Sequence, residues 1–328
     1  MACQGHCAGQ ALTTKVSRQA LALAFAKAMT YTRFGIFSRL SIPTGSVEFF
    51  GFEDINRHPP RDLRRLHFSF LGPLIGLMLY SSMLKGVFRT LYGEPPDLSS
   101  AQDGQGLVLV ADGVGGLDLC GTGLRYVIGS LGLRFDVRVV PWGHGFGRWH
   151  ADLTNVENRD RRAAEIADTV TAYRAQRPGL PVFLVGKSGG TGLVVKALER
   201  LPEGAVEKVV LLAPALSPNY DLSRALRAVR REVVVFWSPL DVIVLGLGTQ
   251  IFGTIDRIRT VSAGMLGFRI PQGLDEASKA EYAKLRQVRW RPEMAATGYL
   301  GGHVGPDSPA FLKKYVVPLL RVADSPNC

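Results

Sequence analysis

The stretch Pro181-Val182-Phe183-Leu184-Val185-Gly186-Lys187-Ser188-Gly189-Gly190, with the apolar run after it, constrains the fold more than any other part of the chain. The β-branched, aromatic and aliphatic residues at 182–185 read as a buried strand, and 191–198 carries apolar residues at helical spacing. A glycine-rich turn of a few residues joins them. Two chemistries use such a turn. A phosphate-binding loop needs an early glycine, so that backbone N–H groups can curl around the phosphates; Gly186-Lys187-Ser188 would place it at position 181, which is Pro181. The strand run at 182–185 is equally unsuited to a loop. The other reading is G-x-S-x-G, with Ser188 on a sharp turn and Gly186 and Gly190 letting neighbouring backbones pass close by.

From about residue 104 onward, strand and helix signals alternate. Strands are expected at 106–110, 135–140, 182–185, 206–212, 232–237 and, more weakly, 288–291. Helices are expected at 120–131, 161–176, 191–198, 222–229 and 309–322. Repeated β-α-β units give an α/β fold, a mostly parallel central sheet with helices on both faces. Such a sheet gathers the strand C-termini on one edge, where ligands bind. Candidate partners for Ser188 stand at those ends. Asp241 follows the strand 232–237, with Asp221 after the preceding strand as the rival acid, and His303 sits in Gly301-Gly302-His303 ahead of the last helix. The loop Asp112-Gly113-Val114-Gly115-Gly116 closes the first strand.

The motif around Ser188, the chain order Ser188, Asp241, His303 and the glycine loop resemble the α/β-hydrolase superfamily from about Gly104 to the C-terminus. The resemblance implies a serine hydrolase, an esterase or lipase-like enzyme acting on a small-molecule or lipid ester without a cofactor. It implies Ser188 as nucleophile, His303 as general base, Asp241 as its orienting acid, and the N–H groups of Gly189 and Val114 as the oxyanion hole. An acyltransferase using the same serine and a noncatalytic binding protein are the alternatives. The chain departs from the family at Asp112, where His is frequent, and at Lys187, before the serine. An ion pair between these two is one expectation, two separate solvated side chains the other.

The segment Trp142-Gly143-His144-Gly145-Phe146 suggests aromatic lining of the substrate cleft by Trp142, His144 and Phe146. No carboxylate or cysteine stands at ligand spacing there, so no metal is expected. The net charge of +11 is scattered without an aromatic-interleaved stripe, which points to a solvated basic surface and no specific nucleic-acid partner. Of the four cysteines, Cys3, Cys7 and Cys328 lie near the ends and only Cys120 falls in the expected core, which is no disulfide framework and favours a reducing, cytoplasmic setting.

Residues 1–100 read as a largely helical N-terminal extension and 101–328 as the hydrolase domain. Within the extension, 66–84 is uncharged apart from His67 but diluted by Gly72, Pro73, Gly76, Ser81 and Ser82. It is expected either to span or lie on a membrane surface, or to pack as a helix on the domain. Only 46–52 offers an additional early strand. Oligomeric state is not legible.

Overall fold

Three of the strands carry apolar residues at nearly every position, which suits strands covered on both faces and makes them the centre of a parallel sheet. They are β1 Gly106–Ala111, β3 Val182–Lys187 and β4 Val206–Leu212, and they are joined by β2 Phe135–Val139, β5 Val229–Trp237 and β6 Leu285–Arg289. The computed structural model describes residues 63–99 and 104–321; the 46–52 segment lies outside them. The six strands form one sheet in the order β2-β1-β3-β4-β5-β6, with every neighbouring pair parallel.

Alternate side chains divide between two layers. Leu107, Leu109, Leu184, Val209 and Val235 pack against α4 Val156–Gln176 and α5 Gly190–Leu198; Val108, Val110, Phe183, Val210 and Phe236 pack against α2 Leu119–Ser130 and the closing segment 309–320. The sheet therefore has helices on both faces, as expected. The chain runs outward from β1 to β2 and then crosses to β3 on the other side of β1, so the loops after β1 and β3 diverge. That divergence opens the crevice where ligands bind in such sheets.

Three elements differ from their sequence expectation. β6 lies a few residues earlier than 288–291, because an edge strand with mostly exposed side chains has little apolar signal, and Trp290 drew the reading forward. The helix expected at 309–322 is α-helical only at Pro309–Phe311; it widens to a π-helix over Leu312–Val316 and tightens to a 3-10 turn over Val317–Leu320. Pro318 has no N–H to continue an α-helical ladder. A short helix, α3 Trp149–Thr154, was not expected.

Residues 66–84 fall in one long helix, α1 Leu63–Tyr92, which belongs to the same compact unit as the sheet. Its C-terminal half packs on the body. Ser81 is buried, the Lys85 Nζ donates to the Leu117 carbonyl at 3.0 Å, and the Tyr92 and Tyr126 rings lie 5.4 Å apart. Among the described residues no helix is long and apolar enough to cross a membrane.

Candidate active site

The turn after β3 is built around one strained residue. Ser188 has φ 52°, a left-handed conformation that a side-chain-bearing residue adopts only when its surroundings enforce it. The enforcement is visible on both sides. A Cβ on Gly186 would sit 2.8 Å from the Thr191 Cα, and one on Gly190 would run into the carbonyls of Ala111 and Asp112. The Ser188 N–H remains on the sheet, donating to Leu212 O at 2.9 Å. These contacts aim Oγ out of the sheet edge.

There Oγ meets a hydrogen-bonded row. The Ser188 hydroxyl lies 2.9 Å from Nε2 of His303, and Nδ1 of His303 lies 2.6 Å from Oδ2 of Asp241. A buried carboxylate can only accept, so Nδ1 carries the proton and Nε2 presents its lone pair to the serine. Asp241 follows β5 and caps the π-helical turn Val242–Gly248, its Oδ1 3.4 Å from the Leu245 N–H. Burial holds His303 below the ordinary histidine pKa; the Lys187 charge pushes the same way, and Asp241 opposes both. The rival acid is engaged elsewhere. Asp221 accepts from the Ser223 N–H at 2.9 Å and the Tyr282 hydroxyl at 3.2 Å.

Two buried carboxylates set the glycine loop. Asp112 accepts from the Gly113 N–H at 3.0 Å and the Gly121 N–H at 2.7 Å, while Asp152 accepts from the Gly115 N–H at 2.7 Å. The N–H between them, that of Val114, has no acceptor among the described residues, and neither has that of Gly189. Both belong to the crevice that holds Ser188, which also has an apolar wall from Leu117, Trp149, Leu153, Val244 and Phe252.

The expected pairing of Asp112 with Lys187 is not formed. Backbone donors occupy Asp112, and the Lys187 Nζ instead lies 3.9 Å from Oδ2 of Asp307 and 3.4 Å from Nε2 of His303. The aromatic lining also needs correction, since Trp142, His144 and Phe146 are not among the crevice residues. Trp142 is buried behind the loop, its indole N–H donating to Asp112 O at 2.8 Å. His144 is held by Asp152, Nδ1 to Oδ1 at 2.8 Å, and Phe146 is largely exposed.

A family model described as serine aminopeptidase, S33, matches residues 136–261, a span that includes β3, the strained turn and Asp241. The chain has an α/β-hydrolase fold, and over the matched span it is similar to that family of serine hydrolases. No curated protein matches it. Among solved structures, Trichoderma reesei cutinase in complex with a phosphonate inhibitor is similar over 60% of this chain and 90% of that one, with 17% identity and a TM-score of 0.36. A putative hydrolase from Xanthomonas campestris is similar over 63% and 95%, with 19% identity and a TM-score of 0.34. A lipase-esterase related protein from Clostridium acetobutylicum is similar over 64% and 91%, with 12% identity and a TM-score of 0.37. At such identities and TM-scores these likenesses carry no argument.

Several residues of the crevice have no sequence signal of their own. Ser81 reaches it from α1, Trp149 and Leu153 from α3, and Phe252 from the segment after the π-turn. Their arrival depends on tertiary packing across long stretches of chain. Asp307 is the exception, since an acidic residue four positions after His303 could have been singled out.

Proposed function

We propose that this hydrolase cleaves carboxylic esters with an apolar acyl part, using Ser188 as nucleophile, His303 as general base and Asp241 as the acid that orients it. The observation that supports this best is the unbroken row from Ser188 Oγ through His303 to Asp241, set against an apolar wall. The serine oxygen attacks the ester carbonyl carbon as its proton passes to Nε2, and Asp241 stabilises the imidazolium. The N–H groups of Gly189 and Val114 receive the carbonyl oxygen as it takes up negative charge. The imidazolium then returns the proton to the alkoxide, the C–O bond breaks, and an acyl-enzyme remains. Water, deprotonated by His303, attacks the acyl carbon and releases the carboxylic acid and free Ser188.

An ester fits better than the peptide substrate in the matching family's name. An aminopeptidase needs a free carboxylate for the substrate ammonium, whereas of the crevice carboxylates here Asp112 is engaged by two backbone N–H groups and Asp307 already has the Lys187 cation beside it. The test is covalent labelling. A fluorophosphonate should label the purified protein, short p-nitrophenyl esters should be hydrolysed faster than aminoacyl anilides, and Ser188→Ala should remove labelling and hydrolysis together. Labelling that persists in Ser188→Ala would refute the nucleophile, and absence of turnover in the unsubstituted protein would favour a binding role.

A further inference from the structure

Lys187 is the least expected side chain in the crevice. It is the last residue of β3, its side chain is 4% exposed, and its Nζ sits on the same edge of the His303 ring as the Ser188 hydroxyl, 3.4 Å from Nε2. Burying an ammonium is costly unless something fixes and compensates it. Asp307, 6% exposed and 3.9 Å away, is the nearest carboxylate, and its second oxygen is buried without a hydrogen-bond partner. The other titratable groups facing this cluster are Asp112 and Cys120 on the β1 and α2 side, Asp241 beyond the imidazole, and Tyr299 beside Asp241 and Asp307. Lys187 is thus a cation held where a protonated His303 would be its immediate like-charged neighbour.

We propose that Lys187 is a positioning residue for the proton transfer, whose ammonium at the Nε2 edge of His303 keeps the resting imidazole neutral and available to Ser188 in mildly acidic solution. This inference rests on the catalytic reading of Ser188, His303 and Asp241 given above. Asp307 makes the arrangement work in that range. Burial, with Asp112 adding to it and Lys187 opposing it, pushes the Asp307 carboxyl up to about 7. Below that pH Asp307 is mostly uncharged and does not cancel the field of Lys187 on the imidazole. Above it, the carboxylate forms beside Lys187 and offsets part of its charge.

The sign follows from the charges. A neighbouring cation disfavours the imidazolium and lowers the pKa of the histidine, and the acid limb of kcat/KM follows that pKa in the free enzyme. Lys187→Met should therefore move the acid limb upward by about one pH unit or more. The double variant Lys187→Met/Asp307→Asn, which leaves no unpaired charge in the interior, should show the same shift. Asp307→Asn alone should leave the limb where it is, because the carboxyl is already mostly protonated there. In the unsubstituted hydrolase the limb should lie below the ordinary histidine value of about 6.5. A limb at or above that value, which can be read even if neither variant folds, would overturn the inference, and so would a limb that stays in place in a folded Lys187→Met; because burial also lowers the limb, support comes from the upward shift in the variants. A merely structural lysine would change yield or Tm without moving the limb. Loss of the catalytic reading itself is distinguishable, because it shows as labelling that survives Ser188→Ala.

Discussion

Replacing Asp241 by Asn changes one atom of the Ser188–His303–Asp241 row and almost nothing else. The carboxylate accepts from His303 Nδ1 at 2.6 Å through Oδ2 and faces the Leu245 N–H through Oδ1. An asparagine at this place must present its NH2 group to one of those two sites. Turned toward His303, it needs Nδ1 as an acceptor, which moves the ring proton to Nε2 and leaves no lone pair for the serine hydroxyl. Turned the other way, it sets two donors against each other at Leu245. The first arrangement wins, because it alone leaves a donor facing an acceptor at both sites: the amide oxygen still accepts from the Leu245 N–H, and the neutral imidazole offers Nδ1 by carrying its proton on Nε2. The wrong tautomer in a triad of this kind lowers kcat by about 10⁴-fold, or roughly 5 kcal/mol of barrier. The side chain keeps its volume, so the thermal midpoint should change little. Steady-state hydrolysis of p-nitrophenyl acetate beside a thermal melt measures both quantities. A folded Asp241→Asn with kcat within tenfold of the unsubstituted enzyme would refute the reasoning. So would Asp221→Asn reproducing the loss, since Asp221 is bonded to Ser223 and Tyr282.

Gly190→Ala tests the tight turn: its Cβ would press on the backbone carbonyls of Ala111, the last residue of β1, and of Asp112, the residue after it. The expected loss is about 3 kcal/mol or more, read as a fall in Tm, and a midpoint unchanged within about 2 °C would contradict it. A chain beginning at Pro96 lacks α1, so the surface around Leu117 and Tyr126 is uncovered and the crevice loses Ser81 from its lining. It should give lower soluble yield and a higher KM for esters. Soluble protein with an unchanged KM would show that α1 is dispensable.

How much of this arrangement the sequence reveals depends on how local its cause is. β1, β3 and β4 are readable because strands buried on both faces must be apolar at almost every position, and the turn at Ser188 because only small residues fit beside it. Asp241 and His303 can be picked out because each follows an element whose end faces the same sheet edge. β6 is blurred, since an edge strand does not need the apolar run. The misreading of Trp142 has a different origin. An aromatic residue on a loop after β2 looks like a cleft wall, yet its indole N–H is used up on the carbonyl of Asp112, which turns the ring inward. Lys187 and Asp112, expected either as an ion pair or as two separate solvated side chains, are both buried and each find other partners, and only the packed structure ranks those distances.

The helix α1 supplies one lining residue of the crevice, Ser81, but none of the groups in the Ser188–His303–Asp241 row. Those groups are carried by loops after β3 and β5 and ahead of the closing segment, whereas the 30 residues of α1 come from before the sheet begins. The lining of the crevice is therefore drawn from well-separated stretches of the gene, Ser81 from before the sheet and Trp149, Leu153, Val244 and Phe252 from within it. A mutation in α1 can reshape the crevice at Ser81 while the Ser188–His303–Asp241 row stays in place, because none of those three groups is carried there.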